Sequence, residues 1–303
     1  MEYSFPRYLL AKQAVDDRAL NRQVLDALRA AIQQGPIRVI EVGAGMGNML
    51  ARLISWDVLS HADYVHEDGM AENITFASTW IPGWAGGAGL QVEQISPSEI
   101  RLFDGTHDVR VTLVGQDVFD FIAAKPQPAD LLIANAFLDL LPMPESLPSL
   151  LSLTKDLAWF TINFDGLTSF EPTVDVELDA KIERLYHRTM DSRPTGGDSR
   201  AGRHLFGALQ KVGAKVLAAG ASDWVVHAKD GRYPGDEAYF LNFILHFFEE
   251  SLAGQAELDK VDFARWLKER RAQVDRGELL YIAHQLDYLV RVAPARADGM
   301  HRD

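Results

Sequence analysis

The stretch Glu41-Val-Gly-Ala-Gly-Met-Gly47 decides how this chain is organised. The apolar run Arg38-Val-Ile-Glu-Val42 leads into it and predicts a strand, and a helical pattern follows over about residues 47–56. Closely spaced glycines let the backbone turn sharply and let a ligand approach the main chain. The start of the following helix adds N–H groups that have no partner within the helix. The sequence therefore predicts a strand, a loop and a helix that form a binding site.

The spacing of the glycines in this loop and the acid before it indicate which kind of ligand the loop can bind. A dinucleotide fingerprint reads G-x-G-x-x-G, whereas the glycines here are spaced G-x-G-x-G and position 48 is asparagine. Glu41 precedes the first of these glycines by two positions. A carboxylate there would repel a pyrophosphate but suits a ligand with a cationic ammonium group. The alternative is a tight turn that binds nothing.

This pattern resembles motif I of the class I S-adenosylmethionine-dependent methyltransferases, which reads acid-x-G-x-G-x-G. The resemblance implies that S-adenosyl-L-methionine is the cofactor and that Glu41 faces its methionine ammonium, directly or through water. It also implies that Gly43, Ala44 and Gly45 pass beneath the cofactor, and it adds Gly47 to the residues that bind it.

A second acidic position follows at the end of the next predicted strand, in Tyr-Val-His-Glu-Asp. The resemblance assigns Glu67 to the ribose hydroxyls, because an acid at the end of this strand accepts hydrogen bonds from a ribose in related folds. Asp68 takes this role if the register differs by one residue. The alternative is an acid at a strand end that faces only solvent.

The third motif is Gly115-Gln-Asp-Val-Phe-Asp-Phe121, after a strand predicted over residues 109–114. By resemblance, Asp117 accepts a hydrogen bond from the adenine amine and the N–H of Val118 donates to a ring nitrogen. Asp120 competes with Asp117 for this role.

The fourth motif is Asp130-Leu-Leu-Ile-Ala-Asn-Ala-Phe-Leu-Asp, in which a buried strand would end beside the transferring methyl group. The resemblance places Asn135 with the cofactor, and Ala136 and Phe137 at the methyl group, with Phe137 facing the substrate. Asp139 is a candidate catalytic residue, and the alternative is an acid that caps a helix.

A general base is needed only if the acceptor must lose a proton before or during attack. Besides the candidate in the fourth motif, His204 and His227 are candidates by position alone, and each is otherwise an ordinary surface or core histidine. Residues 184–203 are rich in arginine. We expect a mobile cover over the acceptor in which Arg200 and Arg203 grip an acidic group; the alternative is a solvated pair of helices.

The N-terminal segment is also a candidate cover for the cofactor. It carries the aromatic residues Tyr3, Phe5 and Tyr8 and continues into a predicted helix. Lys12 and Arg18 on that helix are candidates to reach the cofactor carboxylate, although nothing local singles them out.

Composition limits the remaining choices. The chain has 303 residues, 47% of them hydrophobic, which suffices for a buried core and argues against disorder. It has no cysteine, which excludes disulfides and thiolate metal sites, and no metal site is predicted. The formal charge of −13 disfavours a broad grip on nucleic acid or anionic lipid. We expect a cytoplasmic protein without a membrane or nucleic acid as partner, and a homodimer is possible.

Strand and helix patterns alternate over roughly the first half of the chain, which predicts an α/β fold with a mostly parallel sheet. The resemblance implies a seven-stranded Rossmann-like sheet with a reversed strand at its edge. We assign that strand to an antiparallel pair over residues 215–219 and 224–228. The predicted parts are an N-terminal helical cap over residues 1–34, the α/β domain over 35–230 with inserts at 90–108 and 165–200, and a C-terminal helical extension over 236–292.

The sequence thus favours a methyltransferase that uses S-adenosylmethionine to methylate a small-molecule acceptor. Two alternatives stay open. One is a non-enzymatic module with a methyltransferase-like fold, since fold alone does not establish chemistry. The other is an NAD(P)-dependent oxidoreductase, which the spacing of the glycines disfavours.

Overall fold

A mixed sheet forms the centre of the computed structural model, which describes residues 3–33 and 35–292. Within these residues the sheet has ten strands, in the order β3-β4-β5-β2-β1-β6-β7-β10-β8, with β9 paired to β10. The strands are β1 (Ile37–Val42), β2 (His61–Asp68), β3 (Gln91–Ser96), β4 (Glu99–Phe103), β5 (Asp108–Gly115), β6 (Ala129–Asn135), β7 (Thr154–Glu171), β8 (Lys215–Ala221), β9 (Trp224–Val226) and β10 (Leu280–Arg291).

Helices cover both faces of this sheet. They are α1 (Phe5–Ala19), α2 (Arg22–Ala31), α3 (Asn48–Ser55), α4 (Ala71–Gly87), α5 (Val118–Ala123), α6 (Leu147–Leu151), α7 (Val176–Asp191), α8 (Ala201–Lys211), α9 (Glu237–Leu252) and α10 (Lys260–Asp275), with a 3₁₀ turn over Leu138–Leu140. None of the helices in the described part of the chain combines the length and the apolar content needed to cross a lipid bilayer.

The five strands β5-β2-β1-β6-β7 run parallel, which confirms the predicted α/β class. Strand β1 is covered on both faces, because Val39 belongs to one hydrophobic core and Ile40 to the other. Its neighbours are β2 on one side and β6 on the other, so the order of the strands reverses at β1. In open α/β sheets, ligands bind beyond the carboxyl ends of the strands at such a switch point.

A hairpin extends the sheet beyond β5, and it contains the predicted insert at residues 90–108. Strand β4 pairs antiparallel with both β3 and β5. The predicted turn at Asp104 joins β4 to β5, because its carboxylate accepts hydrogen bonds from the N–H groups of Thr106 and His107, both at 2.6 Å. The hairpin lies at the far edge of the sheet from β10.

The predicted C-terminal helical extension is wrong over Leu280–Arg291, which form β10. This strand lies between β7 and β8 and is antiparallel to both. Its residues alternate between buried and half-exposed as far as Asp287 and are then buried from Tyr288 to Val290. The spacing of the apolar residues in this segment is compatible with a helix. The segment is extended because it pairs with a strand on each side. Helices α9 and α10 are therefore an insert between β9 and β10.

The predicted edge of the sheet is corrected by the same strand. Strands β8 and β9 do not pair with each other; both pair with β10, as Leu286 with Ala221 and Tyr281 with Val226. The reversed strand of this half of the sheet is thus β10, which is not at the edge, and the described residues give the sheet ten strands rather than seven.

The predicted N-terminal cap forms two helices, α1 and α2, and residues 1, 2 and 34 of that cap lie outside the described residues. A new helix begins after α1 because the side chain of Asn21 accepts a hydrogen bond from the N–H of Val24 and caps α2. Helix α1 packs on α9, where the ring of Tyr8 stacks on that of Phe243 at 4.6 Å. The long strand β7 and helix α7 occupy most of the predicted insert at 165–200.

Candidate functional site

The glycine loop follows β1 at the switch point of the sheet. The N–H of Ala44 donates to the carbonyl of Glu67 at 2.9 Å, and the N–H of Gly45 donates to the carboxylate of Asp68 at 2.8 Å. Gly47 has φ of 97° and precedes α3 as its N-cap, where a Cβ atom would lie 2.8 Å from the side chain of Ile81 on α4. The loop therefore fits between β2 and α4 only with glycine at that position.

Gly43 lies directly against the side chain of Phe137. Its φ is 62°, and a Cβ atom built on it would lie 2.3 Å from the ring of Phe137, which follows β6. Both the backbone conformation and the contact thus require glycine. The ring of Phe137 covers this glycine, so a ligand that contacts Gly43 from that side must displace the ring.

A cavity of about 280 Å³ lies beside this loop. Its walls come from the glycine loop, the residues after β2, the residues after β6, and the inner face of α1. The structure thus brings together residues from the first, second and fourth predicted motifs. Phe5, Leu9 and Lys12 of α1 line it, which puts the predicted N-terminal cover at the cavity.

Glu41 is the acid at the base of the cavity, and it is buried. The hydroxyl of Tyr64 donates to its Oε2 at 2.6 Å. Burial raises the pKa of Glu41 to about 8, although the hydrogen bond from Tyr64 and the charge of Arg52 act to lower it. At neutral pH the protonated form of the carboxyl therefore predominates, and a further cation beside it would favour the ionised form.

Two buried cations, Lys12 on α1 and Arg52 on α3, line the same cavity. Lys12 pairs with Asp16 at 2.9 Å. Arg52 bonds to Asp17 and donates to the carbonyl of Gln13 at 3.2 Å, while its Nη1 has no hydrogen-bond partner among the described residues. The cavity thus holds positive and negative groups together.

Arg52 is not among the residues predicted from the sequence. A signal for it exists there, because this charged residue interrupts the apolar stretch Met49-Leu-Ala-Arg-Leu-Ile54 of the helix that follows the loop. A charged residue on such a buried face needs a partner or a ligand. Of the two cations predicted from α1, Arg18 lies away from the cavity and pairs with Glu237 at 2.6 Å.

Of the two acids at the end of β2, Asp68 lines the cavity and Glu67 does not. Asp68 lines the cavity and accepts hydrogen bonds from Gly45 and from the N–H of Met70 at 2.8 Å. Glu67 is not among the lining residues; its Oε2 accepts from the N–H of Gly43 at 3.3 Å, and its Oε1 has no partner in the described part of the chain. Burial raises the pKa of Glu67 to about 8. Its assignment to a ribose stays a prediction, and Asp68 has the better position.

The third motif lies beside the second, outside the cavity walls. Asp117 caps α5, since its carboxylate accepts from the N–H of Phe119 at 2.8 Å, and Asp120 is exposed on the same helix. A Cβ atom on Gly69 would lie 3.8 Å from the Cα of Asp117, so the loops after β2 and β5 touch. The roles of Asp117 and Val118 toward an adenine stay predictions.

The residues after β6 form the wall opposite the glycine loop. Asn135 lines the cavity and accepts a hydrogen bond from the hydroxyl of Thr161 at 2.8 Å. Beyond it, Oδ1 of Asp139 is buried and has no partner among residues 3–33 and 35–292. Burial raises the pKa of Asp139, while Arg193 and Lys12 act to lower it. Asp139 does not line the cavity, although its neighbour Leu140 does. Its unpartnered oxygen keeps it a candidate proton acceptor, and that role stays a prediction.

The remaining predicted residues are not brought to this cavity. His204 lines a second cavity of about 350 Å³ and pairs with Asp198 at 2.6 Å, and Arg203 is held by Asp165 at 2.8 Å. Arg200 is exposed at the start of α8, and His227 lies in a third cavity. Their roles in catalysis or substrate binding stay predictions, without support from this arrangement.

The chain matches no protein-family model and no curated protein sequence. It is similar in structure to a putative methyltransferase from Bacillus halodurans, with 11% identity over 89% of this chain and 99% of that one, at a TM-score of 0.46. It is also similar to an S-adenosylmethionine-dependent methyltransferase from Thiobacillus denitrificans in complex with S-adenosylhomocysteine, with 14% identity over 97% of this chain and 100% of that one, at a TM-score of 0.45. A third similar structure is the cyclopropane synthase MmaA2 from Mycobacterium tuberculosis, with 11% identity over 89% of this chain and 82% of that one, at a TM-score of 0.43.

Proposed function

We propose that this protein is a class I S-adenosylmethionine-dependent methyltransferase that acts on a small-molecule acceptor. One observation carries the proposal: the cavity at the switch point combines the buried acid Glu41 with the buried cations Lys12 and Arg52. An amino acid carries one ammonium and one carboxylate group, so these two charge types suit the methionine end of the cofactor.

The residues at the site fit that group. Glu41 would hold the ammonium, and the unpartnered Nη1 of Arg52, with Lys12, would hold the carboxylate. The glycine loop lets the backbone come close to the ligand, and Asp68, which lines the cavity, would accept hydrogen bonds from the ribose. When bound, the cofactor supplies a methyl group on a positively charged sulfur, which needs no further activation.

The protein's own contribution is placement. Helix α1 covers the cavity and excludes water, and the residues after β6 hold the acceptor beside the cofactor. Where the acceptor loses a proton, Oδ1 of Asp139 is the candidate to receive it, since it is buried and has no partner within the described residues. The raised pKa of Asp139 moves it toward the range in which a general base works at neutral pH.

One observation favours a second candidate, a non-enzymatic module of the same fold. The ring of Phe137 lies against Gly43, in space that a cofactor over the loop would need. If this ring is fixed, the cavity stays closed to the nucleoside. The variant Phe137→Ala separates the two cases, because it should bind cofactor whether or not the wild-type ring moves.

The proposal is tested first by ligand binding. S-adenosylhomocysteine should bind in calorimetry and raise the melting temperature by mass action, while NAD(H) should do neither. Stabilisation by NAD(H) alone would favour an oxidoreductase. Binding of neither ligand, by wild type or by Phe137→Ala, would overturn the cofactor assignment and leave an empty scaffold.

Methyl transfer is tested second, with S-adenosylmethionine labelled at the methyl group and pooled small metabolites as acceptors. Label should appear in a small product, and Asp139→Asn should lower the rate by about 10²-fold or more if the acceptor must lose a proton. We further propose a cytoplasmic location and no nucleic acid or membrane partner. A homodimer stays a prediction.

A further inference from the structure

Strand β2 places three polar side chains on one face, at every second residue: Tyr64, His66 and Asp68. All three are buried, with 1%, 0% and 6% of their surface exposed. Polar groups are buried at this density only where they have partners. Here each of the three contacts the glycine loop or the acid that precedes it.

The three residues make different contacts: Tyr64 binds Glu41, whereas His66 and Asp68 bind Gly45. Tyr64 donates its hydroxyl to Oε2 of Glu41 at 2.6 Å. His66 lies with Nε2 at 3.1 Å from the carbonyl of Gly45, and Asp68 accepts from the N–H of the same glycine at 2.8 Å. Gly45 is thus held by both its N–H and its carbonyl, while the acid is held by the tyrosine.

The histidine is neutral in this arrangement. Burial lowers the pKa of His66 to about 4, and the Gly45 carbonyl can only accept, so Nε2 carries the hydrogen and donates it. The carboxylate of Asp68 is also fixed, by the N–H of Met70 at 2.8 Å and the amide of Asn73 at 3.1 Å. The loop therefore has its shape before any ligand arrives.

We propose that Tyr64 is a positioning residue that holds the Glu41 carboxyl in one orientation and stabilises its ionised form for the ammonium of the cofactor. This inference rests on the proposed function. Tyr64 does not line the cavity and acts only through Glu41. A buried carboxylate that accepts a hydrogen bond is stabilised relative to its protonated form.

The other charged groups around Glu41 lie on the elements that pack against it, namely α1, α3 and β2. Arg52 on α3 favours the ionised form and Asp68 on β2 opposes it, while the paired Lys12 and Asp16 on α1 line the same cavity. Loss of the tyrosine hydroxyl leaves these in place. We therefore expect Tyr64→Phe to raise the pKa of Glu41. The variant should weaken S-adenosylhomocysteine binding most at the pH values at which the wild-type carboxyl is ionised and the variant carboxyl is still protonated.

The experiment is calorimetry with S-adenosylhomocysteine as a function of pH, on wild type, Tyr64→Phe, Glu41→Gln and the double variant. Wild-type affinity should rise with pH up to about 8 as Glu41 ionises. Tyr64→Phe should bind at least about tenfold more weakly near neutral pH, with its profile moved to higher pH. In the Glu41→Gln background, Tyr64→Phe should change neither the affinity nor the profile.

A matched control is Tyr288→Phe, which also removes a buried hydroxyl, one that donates to the carbonyl of Gly202 at 2.9 Å in the other core. It should bind as wild type does. If Tyr64→Phe does not fold, Tyr64→Met replaces it, because the flexible side chain of methionine fills a core gap more easily.

The outcomes separate the two levels of the proposal. Wild-type affinity in Tyr64→Phe at every pH, or an equal loss with and without Glu41, overturns the positioning role and leaves the proposed function standing. Absence of S-adenosylhomocysteine binding by folded wild type and by Phe137→Ala overturns both. Proton release on binding, measured in two buffers, is the independent readout: it should be greater in Tyr64→Phe than in wild type near pH 8.

Discussion

At Glu41, a carboxyl group lies in the core with one hydroxyl and one guanidinium as its favourable neighbours. Its position before the glycines could be predicted, because it depends on local spacing. The hydroxyl of Tyr64 and the charge of Arg52 could not, since they reach Glu41 from β2 and α3 through tertiary contacts. For the same reason the sequence placed His204 as a candidate base, although it lies in another cavity.

The two buried glutamates predict a dependence of stability on pH. The pKa values of Glu41 and Glu67 are raised to about 8 by burial, so the folded state keeps protons that the unfolded state releases at lower pH. The free energy of unfolding should therefore fall as pH rises from about 5 to 8, by at most about 1.4 kcal/mol per pH unit for each carboxyl. Urea unfolding across this range measures it.

The control for that prediction is the double variant Glu41→Gln with Glu67→Gln, in which neither group titrates. Its stability should vary less with pH than that of wild type. Equal slopes for the two proteins would show that other groups control the pH dependence.

Gly43 carries a prediction about steric fit. The variant Gly43→Ala should lose about 1–3 kcal/mol of stability, because φ is 62° and the new methyl group meets the ring of Phe137. It should also lose S-adenosylhomocysteine binding. Gly105→Ala is the control, since nothing lies within 4 Å of a Cβ atom there. Equal stability of the two variants by thermal unfolding would contradict the assignment.

At the scale of elements, the sequence predicts best where a strand is bounded by turns. The hairpin of β4 and β5 and the buried strands β1 and β6 follow from alternation, apolar runs and turn residues. The sequence predicts a helix at strand β10 because its apolar residues, among them Ile282, Leu286 and Leu289, also recur at three- and four-residue spacing. Only the gap between β7 and β8 decides in favour of the strand, and that gap is not visible in sequence.

Asp287 connects β10 to two other elements and carries the third prediction. It is fully buried, and its carboxylate accepts from the N–H of Asn21 at 2.8 Å and from that of Ile162 at 2.7 Å. Asp287→Ala leaves the buried donor of Ile162 and the part-buried donor of Asn21 unpaired and should cost about 2–5 kcal/mol of stability. The exposed Asp63→Ala should change stability by less than about 0.5 kcal/mol. Urea denaturation of both variants is the check.

At the scale of the whole molecule, distant parts of the chain close the site together. Helix α1 covers the cavity and is held by α9, where Arg7 pairs with Asp236 just before that helix at 2.9 Å. Of the two helices of the predicted extension, α9 thus supports the cover of the candidate cofactor site directly, and α10 packs on α9. Fold class could be predicted from the first half of the chain, but this support depends on contacts between its two ends.

The position of β10 between β7 and β8 predicts that the molecule folds as one unit. A chain that stops at residue 279 lacks the strand between β7 and β8 and should show no cooperative thermal transition and no S-adenosylhomocysteine binding. Near-ultraviolet circular dichroism and calorimetry measure both. A shortened chain that melts cooperatively and binds the ligand would show that the first five parallel strands fold on their own.

The strand order also has a consequence for biosynthesis. As the polypeptide leaves the ribosome, β7 emerges long before the strand that covers its edge, and about 100 residues of α-helix and other structure must follow first. Throughout that interval an 18-residue strand offers unpaired main-chain groups to any neighbour. Nascent chains of this protein should therefore depend on chaperones until the last strand docks.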